Sequence, residues 1–148
     1  MADLKEIAER GVAAFNAHDT AALAELDDPG VVYTVPGPTG RETLTGREAG
    51  RSYNQNWFDA FPDAKITPVT TVISDDAIAQ EGKFHGTNTG AWKTGVGDMP
   101  ATGKTLDGTY CQVFHVRDGL IISGNLYFDQ VEVMTQLGLM PAPAEATA

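Results

Sequence analysis

Four strand-length segments lie between Lys65 and Phe128, and they constrain the fold more than any other feature of this 148-residue chain. Apolar and polar residues alternate in KITPVTTVIS, AIAQEGKFHGT, TLDGTYCQVFHV and LIISGNLYF, as they do in strands that bury one face. Turn residues lie between the first and second segments, at Asp75–Asp76, and between the third and fourth, at Asp118–Gly119. This arrangement predicts two antiparallel hairpins. A sheet of this kind needs a second layer on its apolar face.

Helical periodicity before the strands supplies that layer. Asp3 and Glu6 form a capping-box start that predicts a helix over residues 4–17. Asp19 then caps a short helix that runs through Leu26, and the DDPG sequence ends it.

A short strand and a third helix are predicted between DDPG and the first long strand. VVYTV reads as the strand. Thr45 and Glu48 form a second capping box, and Pro62 ends the helix that it opens. The buried face of this helix is predicted to carry Ala49, Tyr53, Trp57 and Phe61.

Helices first, then a meander of antiparallel strands, then a short C-terminal helix are typical of an α+β fold. We expect a curved antiparallel sheet with three N-terminal helices packed on its concave face, forming a cone whose open end suits a small molecule. The length is that of one domain, predicted over residues 1–141, with a flexible tail over residues 142–148.

Composition excludes several classes of partner. A net charge of −10 disfavours nucleic acid, and no apolar run approaches the roughly 20 residues of a membrane span. The N-terminal segment lacks the apolar stretch of a signal peptide, so we expect a cytoplasmic protein. The single Cys111 and three isolated histidines predict neither a disulfide nor a metal site.

The sequence changes from strand alternation to helical periodicity at Asp129. With Glu132 it forms a DxxE capping box, and Phe128 with Val133 could form the hydrophobic staple, so a plain helix cap explains the residue. A carboxylate at the end of a strand could also act as a base at the mouth of a pocket. The two roles are compatible.

The register of the last hairpin decides which side chains share a face with Asp129. Asn125 and Tyr127 do so, because side chains alternate along a strand. If the turn has two residues, Gln112 lies opposite Asn125, and Tyr110 lies opposite Tyr127.

If Arg117 joins the turn instead, Cys111 and Thr109 take those places. We favour the two-residue turn because it gathers polar and aromatic groups beside Asp129, the alternative being a solvated outer face. The predicted substrate-binding residues are Gln112, Asn125, Tyr110, Tyr127, Trp57, Tyr53 and Tyr33.

Several segments in this order resemble one known family. They are NAHDTAAL, LTG, AFPD, FHGTNTG, PATGKTL, VRDGLI, YFDQ and QLGLMP, and they run nearly end to end. The chain is similar to the SnoaL-like polyketide cyclases of the nuclear-transport-factor-2-like (NTF2-like) superfamily. The resemblance implies a cone-shaped fold and an intramolecular aldol ring closure without metal or cofactor, with Asp129 as the acid/base aspartate.

Three functions follow as alternatives. The first is a polyketide cyclase acting on an oxygenated, largely apolar small molecule. The second is another enzyme on the same cone, an isomerase or an epoxide hydrolase, and the hydrolase would need a second acid and an inward arginine. The third is a non-catalytic binding module, favoured if side chains such as Trp57 fill the cone.

A homo-oligomer, dimer or tetramer, is expected because the convex face of the open sheet must be covered. The family pairs through that sheet, and apolar residues on the long strands could contribute: Val69, Val72 and Ile78.

Overall fold

The computed structural model describes residues 3–94 and 97–140. The predicted flexible tail lies outside these residues. The described helices and strands are α1 (Leu4–Asn16), α2 (Thr20–Glu25), β1 (Asp27–Gly37), β2 (Gly40–Thr45), α3 (Arg47–Ala60), β3 (Lys65–Ile73), β4 (Ala77–Thr87), β5 (Trp92–Thr94), β6 (Gly97–Met99), β7 (Thr105–Arg117), β8 (Leu120–Tyr127) and α4 (Gln130–Gln136).

Six strands form the main sheet in the order β2-β1-β8-β7-β4-β3, and β5 and β6 form a separate hairpin. Neighbouring strands of the main sheet run antiparallel, except that β1 and β8 pair in parallel. Helix α1 packs against β3 and β4, and α3 packs against β1 and β2. The predicted α+β fold with a curved, open sheet is confirmed.

Local sequence signals place the first two helices correctly. The Asp3 carboxylate accepts a hydrogen bond from the Lys5 N–H, and the Asp19 carboxylate accepts one from the Ala22 N–H. Each bond satisfies a backbone donor that the first turn of a helix leaves unpaired.

Two predictions around β1 and α3 are wrong. DDPG ends α2 as predicted, but the predicted strand VVYTV is too short, because Asp27 already pairs with Ile121 of β8 and begins an 11-residue strand. Thr45 does not cap α3, because it ends the unpredicted strand β2 opposite Val32. The N-cap is Gly46, which has a φ of 89° and makes no side-chain cap bond.

The β7–β8 hairpin has the predicted two-residue turn. Asp118 and Gly119 both have positive φ, 54° and 78°, as a tight hairpin turn requires. Arg117 consequently pairs with Leu120.

The predicted register beyond that turn is wrong. Ile122 has no partner on β7, and this bulge shifts all later pairs by one residue. The partner of Gln112 is therefore Leu126, not Asn125, and the partner of Tyr127 is Cys111, not Tyr110.

The buried apolar residues form two clusters. One surrounds Trp57 and Phe61 between α3, β7 and α4, and the other surrounds Ile7 and Ile78 between α1, β1, β4 and β8. The inclusion of Ile78 among the predicted oligomer contacts is wrong, because this side chain is fully buried in the second cluster. Val69 and Val72 on β3 are more than 60% exposed.

The β5–β6 hairpin is tied to the first cluster. Trp92 pairs with Met99 across the hairpin, and its ring lies 4.7 Å from the Trp57 ring, measured between centroids. Asn88 anchors the base of the hairpin, since its side chain bonds the Ala60 carbonyl and the Thr102 N–H and hydroxyl.

Candidate functional site

A cavity of about 180 Å³ lies between the two apolar clusters. For scale, an engineered apolar cavity of about 150 Å³ holds benzene, so the space suits a ring-sized part of a ligand. Its walls come from α1, α3 and the concave face of the sheet, and they are mostly aliphatic and aromatic. Lining residues from the two clusters include Ile7, Leu26, Ile78, Ile121, Trp57, Leu106 and Val133.

Asp27 is the one carboxylate among the described residues that line this cavity. The residue is 5% exposed. The hydroxyl of Tyr33, which also lines the cavity, donates a hydrogen bond to Asp27 Oδ1. The other oxygen, Oδ2, makes no hydrogen bond within the described chain. It is not fully buried either, because Arg51 Nε is the one side-chain polar atom of the described residues that is both fully buried and without a hydrogen-bond partner. The carboxylate therefore offers one oxygen to a ligand.

Burial dominates the ionisation of this pair. It raises the pKa of Asp27 from about 3.8 to about 6, although the Tyr33 hydrogen bond and the positive charge of Arg47 both lower it. Burial and the neighbouring carboxylate raise the pKa of Tyr33 above its usual value, so the phenol keeps its proton at neutral pH. Asp27 at neutral pH is thus a mostly ionised base with a raised pKa.

Backbone pairing holds Asp27 in place. Its partner on β8, Ile121, is distant in sequence, so the start of β1 is fixed by the core of the sheet. Arg47, in the first turn of α3, donates from Nε to the Asp27 main-chain oxygen at 2.7 Å. The guanidinium thus binds the backbone and leaves the carboxylate to the cavity.

A second polar group lies on the sheet wall, where Gln80, Tyr110 and Gln112 all line the cavity. Gln80 Oε1 accepts hydrogen bonds from the Tyr110 hydroxyl at 3.1 Å and from Gln112 Nε2 at 3.2 Å. Burial raises the pKa of Tyr110 to about 12.

Aromatic rings form much of the remaining wall. The Trp57 ring contacts the rings of Phe84 and Phe128 with centroid separations of 5.4 and 5.5 Å, and all three line the cavity. Tyr53 lies one turn before Trp57, and burial raises its pKa to about 12. These side chains favour a largely apolar, planar ligand.

The structure places six of the eight sequence-predicted site residues on the cavity wall. They are Gln112, Asn125, Tyr110, Trp57, Tyr53 and Tyr33. Tyr127 does not line the cavity and is 48% exposed, and the Arg41 guanidinium lies 4.5 Å above its ring.

Asp129 also lies outside the cavity lining and is exposed. Its Oδ1 accepts hydrogen bonds from the Val131 N–H at 2.9 Å and the Glu132 N–H at 3.3 Å. These bonds confirm the predicted helix cap. The preceding residue, Phe128, reaches the cavity.

Sequence reasoning missed Asp27. The DDPG sequence contains two adjacent acids before a proline and a glycine, a pattern typical of a turn. The neighbouring Asp28 does behave in that way, since its side chain accepts a hydrogen bond from the Gly30 N–H. The sequence did contain one signal for Asp27, which is its position directly after an apolar helix and two residues before Pro29.

The histidines lie away from the cavity lining. His18 stacks on Phe58 and bonds the Ala64 carbonyl. His85 is exposed, and its hydrogen bond to the Asp107 carboxylate raises the pKa of the His85 imidazole. Within residues 3–94 and 97–140, no three His, Cys, Asp or Glu side chains are grouped so as to hold a metal ion. No helix in these ranges has the length and hydropathy of a membrane span.

Comparisons with known proteins agree with this geometry. The family model described as SnoaL-like domain matches residues 8–124. No curated protein matches the sequence.

Solved structures share the fold over nearly the whole chain. A SnoaL-like protein from Jannaschia sp. CCS1, assigned to the polyketide cyclases, is 20% identical with a TM-score of 0.79, over 93% of this chain and 92% of that one. IdmH from Streptomyces antibioticus, also assigned to the polyketide cyclases, is 26% identical with a TM-score of 0.75, over 93% of this chain and 99% of that one. A protein from Catenulispora acidiphila with a ketosteroid isomerase-like fold, in complex with trimethylamine, is 22% identical with a TM-score of 0.73, over 97% and 98%.

The family model covers most of the chain, and the architecture of these neighbours is the cone described above. The chain therefore belongs to the SnoaL-like domain family.

Proposed function

We propose that this protein is a polyketide cyclase that closes a ring by an intramolecular aldol reaction, with Asp27 as its base. The observation that carries the proposal is a buried carboxylate with one unpaired oxygen on the wall of an apolar cavity. The family match and the likeness to IdmH support the cyclase class.

The reaction needs little from the protein. A C–H between two carbonyl groups is already acidic, because the substrate itself delocalises the resulting enolate. Asp27 Oδ2 takes this proton, the carbanion attacks a carbonyl carbon of the same molecule to form the C–C bond, and the new alkoxide recovers the proton from Asp27. Bonds and charges balance without a co-reactant.

The Tyr33 hydroxyl holds Asp27 through Oδ1 and favours its charged form. The apolar walls confine the substrate in a folded conformation, which brings the carbanion and the carbonyl together. A pKa of about 6 leaves Asp27 ionised at neutral pH and more basic than an exposed carboxylate.

The geometry supports an epoxide hydrolase and a filled, non-catalytic module less well. An epoxide hydrolase would need a second acid, whereas Asp27 is the one carboxylate among the described lining residues, and Arg47 binds its backbone. A filled, non-catalytic cone is disfavoured because a cavity of about 180 Å³ remains although Trp57 lies on its wall.

Asp129 is the second candidate for the base. It is favoured by the resemblance, which matches the acid/base aspartate of the family to this position, and by the contact of Phe128 with the cavity. Its exposure and its place outside the lining favour Asp27.

The test is ring closure of a β-keto ester that carries a tethered ketone, followed by chromatography and mass spectrometry of the product. Asp27→Asn should close the ring at least about 100-fold more slowly than the wild type, the low end of what a positioned base contributes. Asp129→Asn is the matched control and should retain most of the rate. The reverse pattern would move the base to Asp129, and full activity in both variants would refute the proposed mechanism.

A further inference from the structure

Thr71, Gln80 and Gln112 form a polar row across three strands of the sheet. Gln80 on β4 pairs directly with Thr71 on β3 and with Gln112 on β7. Gln80 is 3% exposed, so each of its polar atoms needs a partner. The row leads from the edge of the sheet to the cavity wall.

The amide of Gln80 lies with its nitrogen toward β3 and its oxygen toward β7. Nε2 donates to Thr71 Oγ1 at 3.1 Å, so Oε1 is turned toward Tyr110 and Gln112. This oxygen accepts from both of them, at 3.1 and 3.2 Å. Both of its lone-pair positions are then occupied.

Tyr110 has consequently used its hydroxyl hydrogen. A phenol carries one donor, and that donor points to Gln80, so the hydroxyl can only accept from a ligand. Gly82 permits this arrangement, because a Cβ at that position would lie 2.7 Å from the Tyr110 hydroxyl. The ring can therefore cross β4 and reach Gln80.

Gln112 also presents an acceptor. Its Nε2 donates one hydrogen to Gln80, while its Oε1 has no partner within the described chain. The wall formed by Gln80, Tyr110 and Gln112 thus offers a ligand two acceptor oxygens, on Tyr110 and Gln112. It also offers the second N–H of Gln112 Nε2.

We infer that this wall selects ligands with a hydroxyl donor, and that Gln80 is the positioning residue that sets its acceptor character. The inference rests on the proposal that the cavity is the substrate site. It narrows the substrate class to hydroxylated molecules, since an analogue without the O–H leaves the acceptors of the wall unpaired.

The wall and the proposed base engage different parts of the substrate. Phe114 is the next inward residue after Gln112 on β7, roughly 7 Å along the strand. Its ring lies 6.3 Å from the ring of Tyr33, which binds Asp27. Within the described chain, no hydrogen bond joins Tyr110 or Gln112 to Asp27 or Tyr33, so the two polar groups are free to bind separate parts of a ligand.

Equilibrium binding tests this inference without turnover. The probes are 2-naphthol, 2-methoxynaphthalene and 2-acetylnaphthalene, which share an apolar body and differ in donor and acceptor, and binding is measured by isothermal titration calorimetry at neutral pH. We expect the wild type to bind 2-naphthol about 5- to 10-fold more tightly than 2-methoxynaphthalene, the range of one good hydrogen bond.

Three variants locate the acceptor. Tyr110→Phe and Gln112→Leu should each reduce the preference for 2-naphthol. Gln80→Leu frees the Tyr110 hydrogen, so the affinity for 2-acetylnaphthalene should rise relative to that for 2-naphthol. Tyr110→Phe removes a single oxygen, and it keeps the test decisive should Gln80→Leu fail to fold.

A wild type without a preference for 2-naphthol, or without affinity for any probe, would overturn the inference. A preference that survives all three wall variants but disappears in Asp27→Asn would also overturn it, because the acceptor would then be the carboxylate. That last result would leave the proposed function standing.

Discussion

Tyr33 donates its hydroxyl hydrogen to Asp27 Oδ1, and both residues line the same cavity. The two residues are six positions apart on one strand, and burial raises the pKa of each. A buried carboxylate that keeps one oxygen free is costly for stability, so its presence on an apolar wall is a reason to assign it a function.

Asp27→Asn should stabilise the protein at high pH. The folded-state pKa of Asp27 is raised to about 6, so the contribution of this residue to stability is fully present below about pH 4 and is lost as the pH rises through 6. Asparagine has no charge to bury, and its amide oxygen can still accept from Tyr33. We expect a gain of about 1–3 kcal/mol in the free energy of unfolding at pH 8 and almost none at pH 4. Urea unfolding at both pH values measures it, and a loss of stability at pH 8 would contradict the burial argument.

Tyr33→Phe should raise the pKa of Asp27 still further. The Tyr33 hydrogen bond favours the carboxylate and lowers this pKa, so its loss leaves burial less opposed. The measurement is a pH titration of the Asp27 carboxyl carbon by NMR. Tyr53→Phe is the matched control, because Tyr53 lines the same cavity without a bond to Asp27. An unchanged or lower pKa in Tyr33→Phe would show that the hydrogen bond does not stabilise the charged form.

The two substitutions of Asp129 should differ in stability. Asparagine caps a helix about as well as aspartate, so Asp129→Asn should melt within a few degrees of the wild type. Asp129→Ala loses the bonds to Val131 and Glu132 and should cost about 1 kcal/mol. Thermal and urea unfolding distinguish the two, and equal stabilities would mean that the cap contributes nothing measurable.

We predict a homo-oligomer that covers the exposed apolar residues of β3. Val69 and Val72 are 63% and 61% exposed, and a second copy would remove them from water. Light scattering of Val72→Lys should give a mass closer to one chain, 15.7 kDa, than the wild type does. Ala21→Lys, an exposed position on α2, is the charge-matched control. A wild-type mass of about 16 kDa at micromolar concentration would refute the prediction.

Local sequence signals predicted much of the fold. The caps at Asp3, Asp19 and Asp129 depend on hydrogen bonds to residues two or three positions away, so the local sequence contains the whole signal. The Asp118–Gly119 turn is local in the same sense, because both residues tolerate positive φ.

Long-range pairing accounts for the predictions that were wrong. Threonine is a residue type common at helix N-caps, but the pairing of Thr45 with Val32 makes it the last residue of β2. Gly46 is the cap instead. The unpaired Ile122 shifts the hairpin register, and no residue in that apolar run marks it as a bulge. Asp27 enters the cavity through its pairing with Ile121, more than 90 residues away.

The most direct test of the central claim is proton abstraction itself. In D₂O, the wild type should exchange the C–H between the two carbonyl groups of a β-keto ester faster than buffer alone, and proton NMR follows the loss of that signal. The exchange rate should rise as Asp27 ionises through a pKa of about 6. It should fall at least about 100-fold in folded Asp27→Asn. Exchange at the wild-type rate in folded Asp27→Asn would contradict the claim that Asp27 is the base.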